Sequence, residues 1–181
     1  MFARTARLLL RPGWAEDARA LDAAIDDEQV VRNLATAPWP FRLRDAEAYL
    51  AQPRDPLLPS FLIFERTDAE PRLLGSCGLG RRPSGGVELG YWVARNFWGR
   101  GIATEASRAL LDIARTLRLP RLQASHFLDN PASGRVLEKL GFEPIGITAP
   151  RMSCARGTEA PARLFRIEFA GEVETEESIA A

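Results

Sequence analysis

With 181 residues, 24 basic and 24 acidic side chains, the chain has the length of one domain and no net charge. A neutral chain presents no global field for nucleic acid or an anionic membrane, so neither is expected as a partner. No run approaches the ~18 apolar residues that span a bilayer, and no signal-peptide apolar region opens the chain, so a cytoplasmic location is expected.

Lys139 is the only lysine, so nearly all the positive charge is arginine. Cys77 and Cys154 both lie in strand-like surroundings and read as reduced core residues. In chain order, Thr5 to Pro12 predicts a first strand closed by Pro12-Gly13. Helical segments follow near 15–24, 26–35 and 43–52, with Pro38-Trp39-Pro40 between the last two. Ser60 to Thr67, Leu73 to Arg82 and Val87 to Ala94 predict successive antiparallel strands, joined by turns at Asp68-Ala69-Glu70-Pro71 and Pro83-Ser84-Gly85-Gly86. A helix over 101–117 buries Ile102, Ala106, Leu110, Ile113, Ala114 and Leu117 at helical spacing. A strand near 121–127 follows, then a helix from Pro131 to Leu140 that ends at Gly141, a favourable residue just past a helix end. Strands near 142–153 and 162–169 complete a domain assigned to residues 1–170, and the acidic tail 171–181 lacks large apolar groups and reads as disordered. This is a mixed α/β order around one central sheet without strict βαβ alternation.

The most informative stretch is Trp98-Gly99-Arg100-Gly101-Ile102-Ala103-Thr104, placed where the strand at Val87-Glu88-Leu89-Gly90-Tyr91-Trp92-Val93 hands over to a helix. Glycines there allow positive φ and close approach of a ligand to the main chain. The first N–H groups of the helix have no internal partner, and its dipole favours negative charge, which makes a phosphate cradle. A P-loop would need Gly-Lys-Ser/Thr, and no lysine is present here. A Rossmann fingerprint would place its third glycine at Thr104.

What does match is the Gcn5-related N-acetyltransferase family, which the chain resembles from about residue 5 to 169. The family's Arg/Gln-x-x-Gly-x-Gly/Ala signature aligns with Trp98 to Ala103. Three blocks are similar to the branch that acetylates ribosomal-protein N-termini: Gly90-Tyr91-Trp92-Val93 with Phe97 to Ala106, Asn130-Pro131-Ala132-Ser133 with Val136 to Phe142, and Pro38-Trp39-Pro40-Phe41. The resemblance implies a single α/β (α+β) domain whose mostly antiparallel sheet of about six to seven strands splays in the middle, flanked by about four or five helices. It also implies acetyl-coenzyme A as acyl donor, no metal, and an amine acceptor; a homodimer is common in that branch. Backbone amides from Arg100 to Thr104, with the Thr104 hydroxyl, are expected to hold the pyrophosphate, Gly99, Gly101, Ile102 and Ala103 forming the turn. The strand at Tyr91-Trp92-Val93 is expected to present main-chain groups to the pantetheine arm, as an edge strand does to a peptide.

Individual residues carry alternatives. Trp98 departs from the wider family's Arg or Gln but fits the branch, and Trp92, a cofactor-contact candidate, reads by preference as core packing. Asn130, just before Pro131, is both a helix N-cap and, by resemblance, a pantetheine contact. Ser133 is a cofactor contact and the branch's proton donor to the departing thiolate, with water as the alternative; the tyrosine that many members place before Glu-Lys-x-Gly-Phe is here Leu137. A thiol pKa of about 8.5 makes the thiolate a tolerable leaving group without a strong acid. Glu88, on the same strand face as Gly90 and Trp92, is the first choice for general base, directly or through water, and otherwise a solvated charge. Glu105 is a weaker candidate that more simply complements the helix dipole. The N–H near Val93 is the expected oxyanion donor. His126, the only histidine, reads as a cleft-edge or packed residue, and one histidine builds neither a zinc site nor a triad.

On the acceptor side, Trp39 and Phe41 are expected as an aromatic wall, with residues 26–52 and the Arg156-Gly157 turn framing the cleft and Glu88 facing the amine. An α-amine, with pKa about 7.7–8.0, needs less help to become neutral than a lysine or polyamine near 10.4, which favours a protein N-terminus. A small-molecule amine such as an aminoglycoside, polyamine or amino acid, and a non-catalytic coenzyme A-binding regulatory module, are the alternatives. A polycation would require an acidic cleft, for which Asp26, Asp27 and Glu28 are the candidates.

Overall fold

The computed structural model describes residues 1–67, 70–82 and 85–169. The tail from 170 onward and parts of the two expected turns, at 68–69 and 83–84, lie outside the described residues. Strands β1 (Ala3–Arg4), β2 (Leu8–Arg11), β3 (Ser60–Glu65), β4 (Leu73–Arg81), β5 (Val87–Val93), β6 (Arg121–Phe127), β7 (Glu143–Ser153) and β8 (Thr158–Glu168) form one sheet in the order β1-β2-β3-β4-β5-β6-β8-β7. The helices are α1 (Ala18–Ile25), α2 (Glu28–Val31), α3 (Leu43–Ala51), α4 (Ile102–Thr116) and α5 (Pro131–Lys139). Short 3-10 turns occupy Ala15–Asp17 and Arg95–Phe97.

The sheet has one strand more than the upper expectation. The run expected as a single first strand from Thr5 to Pro12 is broken, because Thr5 closes a tight turn. Its N–H donates to the Leu8 carbonyl at 3.0 Å and its hydroxyl accepts from the Leu8 N–H at 2.9 Å. The short piece before the turn pairs back on the piece after it. The helix expected over 26–35 shrinks to α2: Asp27 caps it by accepting the Gln29 N–H at 2.8 Å, and the chain leaves the helix at Arg32. Cys77 is buried in β4 as expected, whereas Cys154 is exposed, since β7 ends at Ser153 and the next residues turn into β8.

Helices cover both faces of the sheet. On one face, Leu8, Leu10, Ile63, Leu74, Leu89, Leu122 and Phe165 meet α4 and α5 through Ala106, Leu110 and Leu137. On the other, Leu62, Phe64 and Leu73 meet α1, α2 and α3 through Leu21, Ile25, Val31 and Ala46. The alternation of Leu62, Ile63 and Phe64 between the two clusters is the strand period of two, and burial on both faces explains why β3 reads as a continuous apolar run. The same period sets β5: Val87, Leu89 and Val93 enter the α4 core, while Trp92 packs on the α1–α3 side, which Glu88 and Gly90 therefore share.

Every neighbouring pair of strands is antiparallel except β5 and β6, which run parallel and register only at Glu88 with Gln123. Beyond that pair the two strands part, and the central splay expected from the resemblance is present.

Within α4, Leu110 is fully buried, and Ser107 is fully buried with a hydroxyl that has no hydrogen-bond partner. Leu110→Ala is expected to cost about 2–5 kcal/mol by opening a cavity. Ser107→Ala should stabilise the fold by about 1 kcal/mol, because it removes an unsatisfied buried hydroxyl. Urea unfolding of both variants checks the contrast in sign.

Candidate active site

The turn into α4 has the geometry its glycines predicted. Gly99 and Gly101 both have φ +75°, and a Cβ on Gly99 would point into open space. Gly101 is the N-cap of α4 and supplies no side-chain cap, so the first N–H groups, at Ile102, Ala103 and Thr104, face outward without an intrahelical acceptor. An uncapped N-terminus with a bare main chain in front of it fits a pyrophosphate, and Arg100 adds a cation on the same turn.

This turn is braced from the opposite end of the chain. Arg7 donates through Nη2 to the Arg100 carbonyl at 3.1 Å and through Nε to Glu105 Oε2 at 2.7 Å, while Thr5 donates its hydroxyl to Glu105 Oε1. Burial raises the pKa of Glu105, but the bonds from Thr5 and Arg7 outweigh it and hold the carboxyl below its ordinary value. Glu105, the weaker base candidate, is therefore committed to the brace. Nothing local in the sequence signals this partnership, whose members lie about a hundred residues apart.

At the C-terminal end of β5, Trp98 donates its indole N–H to the Val93 carbonyl at 2.6 Å, so that acceptor is already engaged and the ring is left half exposed. Gly75 on β4 faces Val93, and a Cβ there would lie 2.2 Å from the Trp92 carbonyl oxygen. Only glycine allows β4 to seat this end of β5, a requirement hidden from the sequence.

On the α5 side, Asn130 caps the helix by accepting the Ser133 N–H at 3.3 Å. The Tyr91 hydroxyl sits 2.8 Å from Ser133 Oγ and donates to the Ser133 carbonyl at 3.0 Å. Burial pushes the Tyr91 phenol up to about 12, against a smaller downward pull from the Ser133 hydrogen bond. Leu137, at the position for which the resemblance implies a tyrosine, is 1% exposed and packs in the core. A phenol thus reaches Ser133 from β5 instead of from α5, a contact of the Tyr91 side chain that no local sequence signal announces. His126 packs between β6 and α5. Its Nδ1 lies 2.8 Å from the Phe127 carbonyl, and its Nε2 would meet a Cβ on Gly134 at 2.7 Å.

On the α1–α3 side, Glu88 Oε1 accepts from Ser125 Oγ at 3.0 Å, with Arg82 and Arg151 nearby at 3.7 and 3.8 Å. Phe41 is 5% exposed and belongs to the core with Val31, Ala46 and Phe64, which removes it from the expected aromatic wall; Trp39 is exposed. Its neighbours in sequence explain this, since Leu43 begins α3 and Phe41 anchors that helix to the sheet. Asp27 caps α2 and lies 3.5 Å from Arg95, so it is not free to greet a cation. The turn after β7 is tied down: Arg156 bonds both oxygens of Asp129 at 2.8 and 2.9 Å and donates to the Arg32 carbonyl at 2.8 Å. The Arg156 hydrogen bonds, more than the adjacent Arg32 charge, lower the Asp129 pKa. Among the described residues no His, Cys, Asp and Glu group could hold a metal ion.

The acetyltransferase (GNAT) domain family model matches residues 7–143. The uncharacterized N-acetyltransferase p20 of Bacillus licheniformis is 30% identical over 151 residues, covering 79% of this chain and 83% of that protein. The fold is shared with a candidate ribosomal-protein-serine acetyltransferase from Vibrio cholerae, at a TM-score of 0.72 and 23% identity over 93% of this chain and 98% of that one. It is shared also with the microcin C7 self-immunity acetyltransferase MccE, solved with acetyl-CoA and AMP, at a TM-score of 0.72 and 16% identity over 91% and 94% of the two chains.

The brace makes a pH-dependent prediction. Because the folded pKa of Glu105 is depressed, its contribution is fully present above the ordinary value of 4.5 and is lost as pH falls through the folded value. Wild type should exceed Glu105→Gln in urea midpoint at pH 7, and the gap should close as the pH is lowered below 4.5.

Proposed function

The chain belongs to the GNAT family and is an N-acetyltransferase, and from that premise we propose that it moves an acetyl group from acetyl-coenzyme A directly to a primary amine, with an α-amine as acceptor. The observation that carries the reading is the arrangement around the splay. The uncapped helix N-terminus at Gly101 stands beyond the end of β5, and the pleat of β5 sends Glu88 to one face and Tyr91 to the other. A thioester lying along β5 would meet a base on one side and a leaving-group contact on the other, as direct attack requires.

The donor supplies an activated acyl group on a thiol whose pKa is about 8.5. The N–H groups from Arg100 to Thr104 would bind its diphosphate, and Asn130 and the open edge of β5 around Trp92 and Val93 would line the path of its arm. With the Val93 carbonyl engaged by Trp98, the N–H groups on that edge are the available main-chain contacts, including the one expected to steady the oxyanion. Glu88, directly or through water, takes the proton that the acceptor nitrogen loses as its bond to the acetyl carbon forms and the C–S bond breaks. Ser133, whose single hydroxyl proton rests on the Tyr91 oxygen while that phenol donates to the Ser133 carbonyl, turns the proton to the departing sulfur, and Tyr91 holds the serine in place. A phenol at about 12 is too weak an acid to protonate a thiolate near 8.5, so Tyr91 orients and water supplies the proton.

Two features bear on the acceptor. Asp27 is paired and capping, and the cleft around Glu88 holds two arginines, so a polycation would meet repulsion there. An α-amine, already partly neutral near pH 8, suits a Glu88 that is shared with Ser125. A thiol-release screen with acetyl-coenzyme A against ribosomal N-terminal peptides, amino acids, polyamines and aminoglycosides tests the reading. Release with one α-amine class supports it, and equal slow release with every amine would sink it.

Ser133→Ala should lower kcat by about 10–100-fold, the range of a lost transition-state hydrogen bond, with KM for acetyl-coenzyme A nearly unchanged. Tyr91→Phe should cost less, and the double variant no more than Ser133→Ala alone, because the tyrosine acts through the serine. Unchanged turnover in Ser133→Ala removes that residue from the mechanism.

A further inference from the structure

The charge pattern around Glu88 is not accounted for by amine binding alone. Arg82, in the turn after β4, is held by donating to Gln123 Oε1 at 3.1 Å and places Nη1 3.7 Å from Glu88 Oε1. Arg151, from β7, places Nη2 3.8 Å from the same oxygen. Two cations therefore face one carboxylate. Both separations exceed a normal hydrogen bond, whose N···O distance is about 2.7–3.2 Å. Arg151 Nη2 is also buried without any hydrogen-bond partner, a condition it shares among the described residues only with the Ser107 hydroxyl. Ser107 lies in the apolar core, whereas the Arg151 side chain is partly exposed beside Glu88. An unpaired, buried cationic N–H is costly, and it is tolerated most readily where a ligand completes it.

β7 can reach this position because its register with β8 shifts between Pro144 and Thr148, and its far end is fastened to the loop after α2. Ser153 donates to the Arg32 carbonyl at 3.1 Å, and the Cys154 N–H donates to the Ala35 carbonyl at 3.0 Å. Arg151, two residues before that fastening, is positioned opposite Ala160 in the β7–β8 ladder.

Resting on the acetyl-transfer reading of this site, we infer that the acceptor carries a carboxylate close to its amine, with the carboxylate seated on Arg151 and Arg82 and the amine against Glu88. The loose Glu88–Arg151 pair is the complement of such a zwitterion. When the acceptor enters, each protein charge exchanges a distant partner for a close one, the surplus cation is neutralised, and Arg151 Nη2 gains its missing acceptor. An uncharged amine would leave the surplus in place. The carboxylate has two sources: the α-carboxylate of a free amino acid, or the acidic side chain of a peptide's first residue.

Calorimetry on the full chain, with and without saturating coenzyme A, separates these sources through alanine against alaninamide and through Glu-Ala-amide against Gln-Ala-amide. In one of the two pairs the carboxylate should bind about tenfold or more tighter than its neutral partner. In Arg151→Met that ratio should fall to near one, and Arg151→Lys should recover part of it. Arg82→Met should lower the ratio as well, which gives a second reading if the first variant fails to fold. Equal binding within each pair by the wild type, or an undiminished ratio in Arg151→Met, overturns the inference. Coenzyme A binding is read in the same titrations, so loss of the acetyl-transfer reading shows as an absent cofactor signal while the carboxylate ratio is still measured.

Discussion

The parallel contact between β5 and β6 is a single residue pair, Glu88 with Gln123, and the rest of the molecule is arranged to keep it single. Each strand is fully laddered on its other side: β5 pairs with β4 from Val87 to Val93, and β6 pairs with β8 from Arg121 to Phe127. Backbone groups on the facing edges are thus left over without either strand being loose. A wedge in a sheet would ordinarily close by strand pairing, since unpaired backbone groups are costly when buried. Here the ladders on either side, the packing of α4 beneath β4 and β5 and the seating of β5 on Gly75 hold the strands apart. An extended amide-bearing ligand is what such a gap can accept.

Arginine does much of the long-range bracing. Arg7 joins the first hairpin to the start of α4, Arg156 joins the β7–β8 turn to Asp129 and the loop after α2, and Arg82 from the turn after β4 and Arg151 from β7 close on Glu88. The planar guanidinium suits this, since its fork can serve a carboxylate and a carbonyl at once, as Arg7 and Arg156 both do. In a chain whose only lysine is Lys139, arginine supplies the cross-links around the site.

The surroundings of Ser133 show how a phenol can be supplied from a different element. With Leu137 filling the core, α5 offers no phenol, and Tyr91 reaches Ser133 from the neighbouring strand. The two positions are far apart in sequence and adjacent in space because α5 packs over the splay with its N-terminus, capped by Asn130, directed at β5.

The sequence by itself determined most of the elements and the glycine turn into α4. Glycine at positive φ, an N-cap asparagine before proline and helical spacing over 102–114 are local signals, and each acts within one or two turns of chain. It also placed Glu88 and Trp92 on one face, since a period of two needs no partner to define it. What only the tertiary structure decided are the contacts between distant segments. Glu105 is committed to Thr5 and Arg7, Phe41 is core instead of wall, Gly75 is required by a carbonyl on the next strand, and Arg82 and Arg151 converge on Glu88. The split of the first strand is instead local, resting on the turn between Thr5 and Leu8, and Cys154 is exposed because β7 ends at Ser153. Local pattern reports what a segment can form, whereas pairing across about a hundred residues depends on which surfaces the packed core brings together.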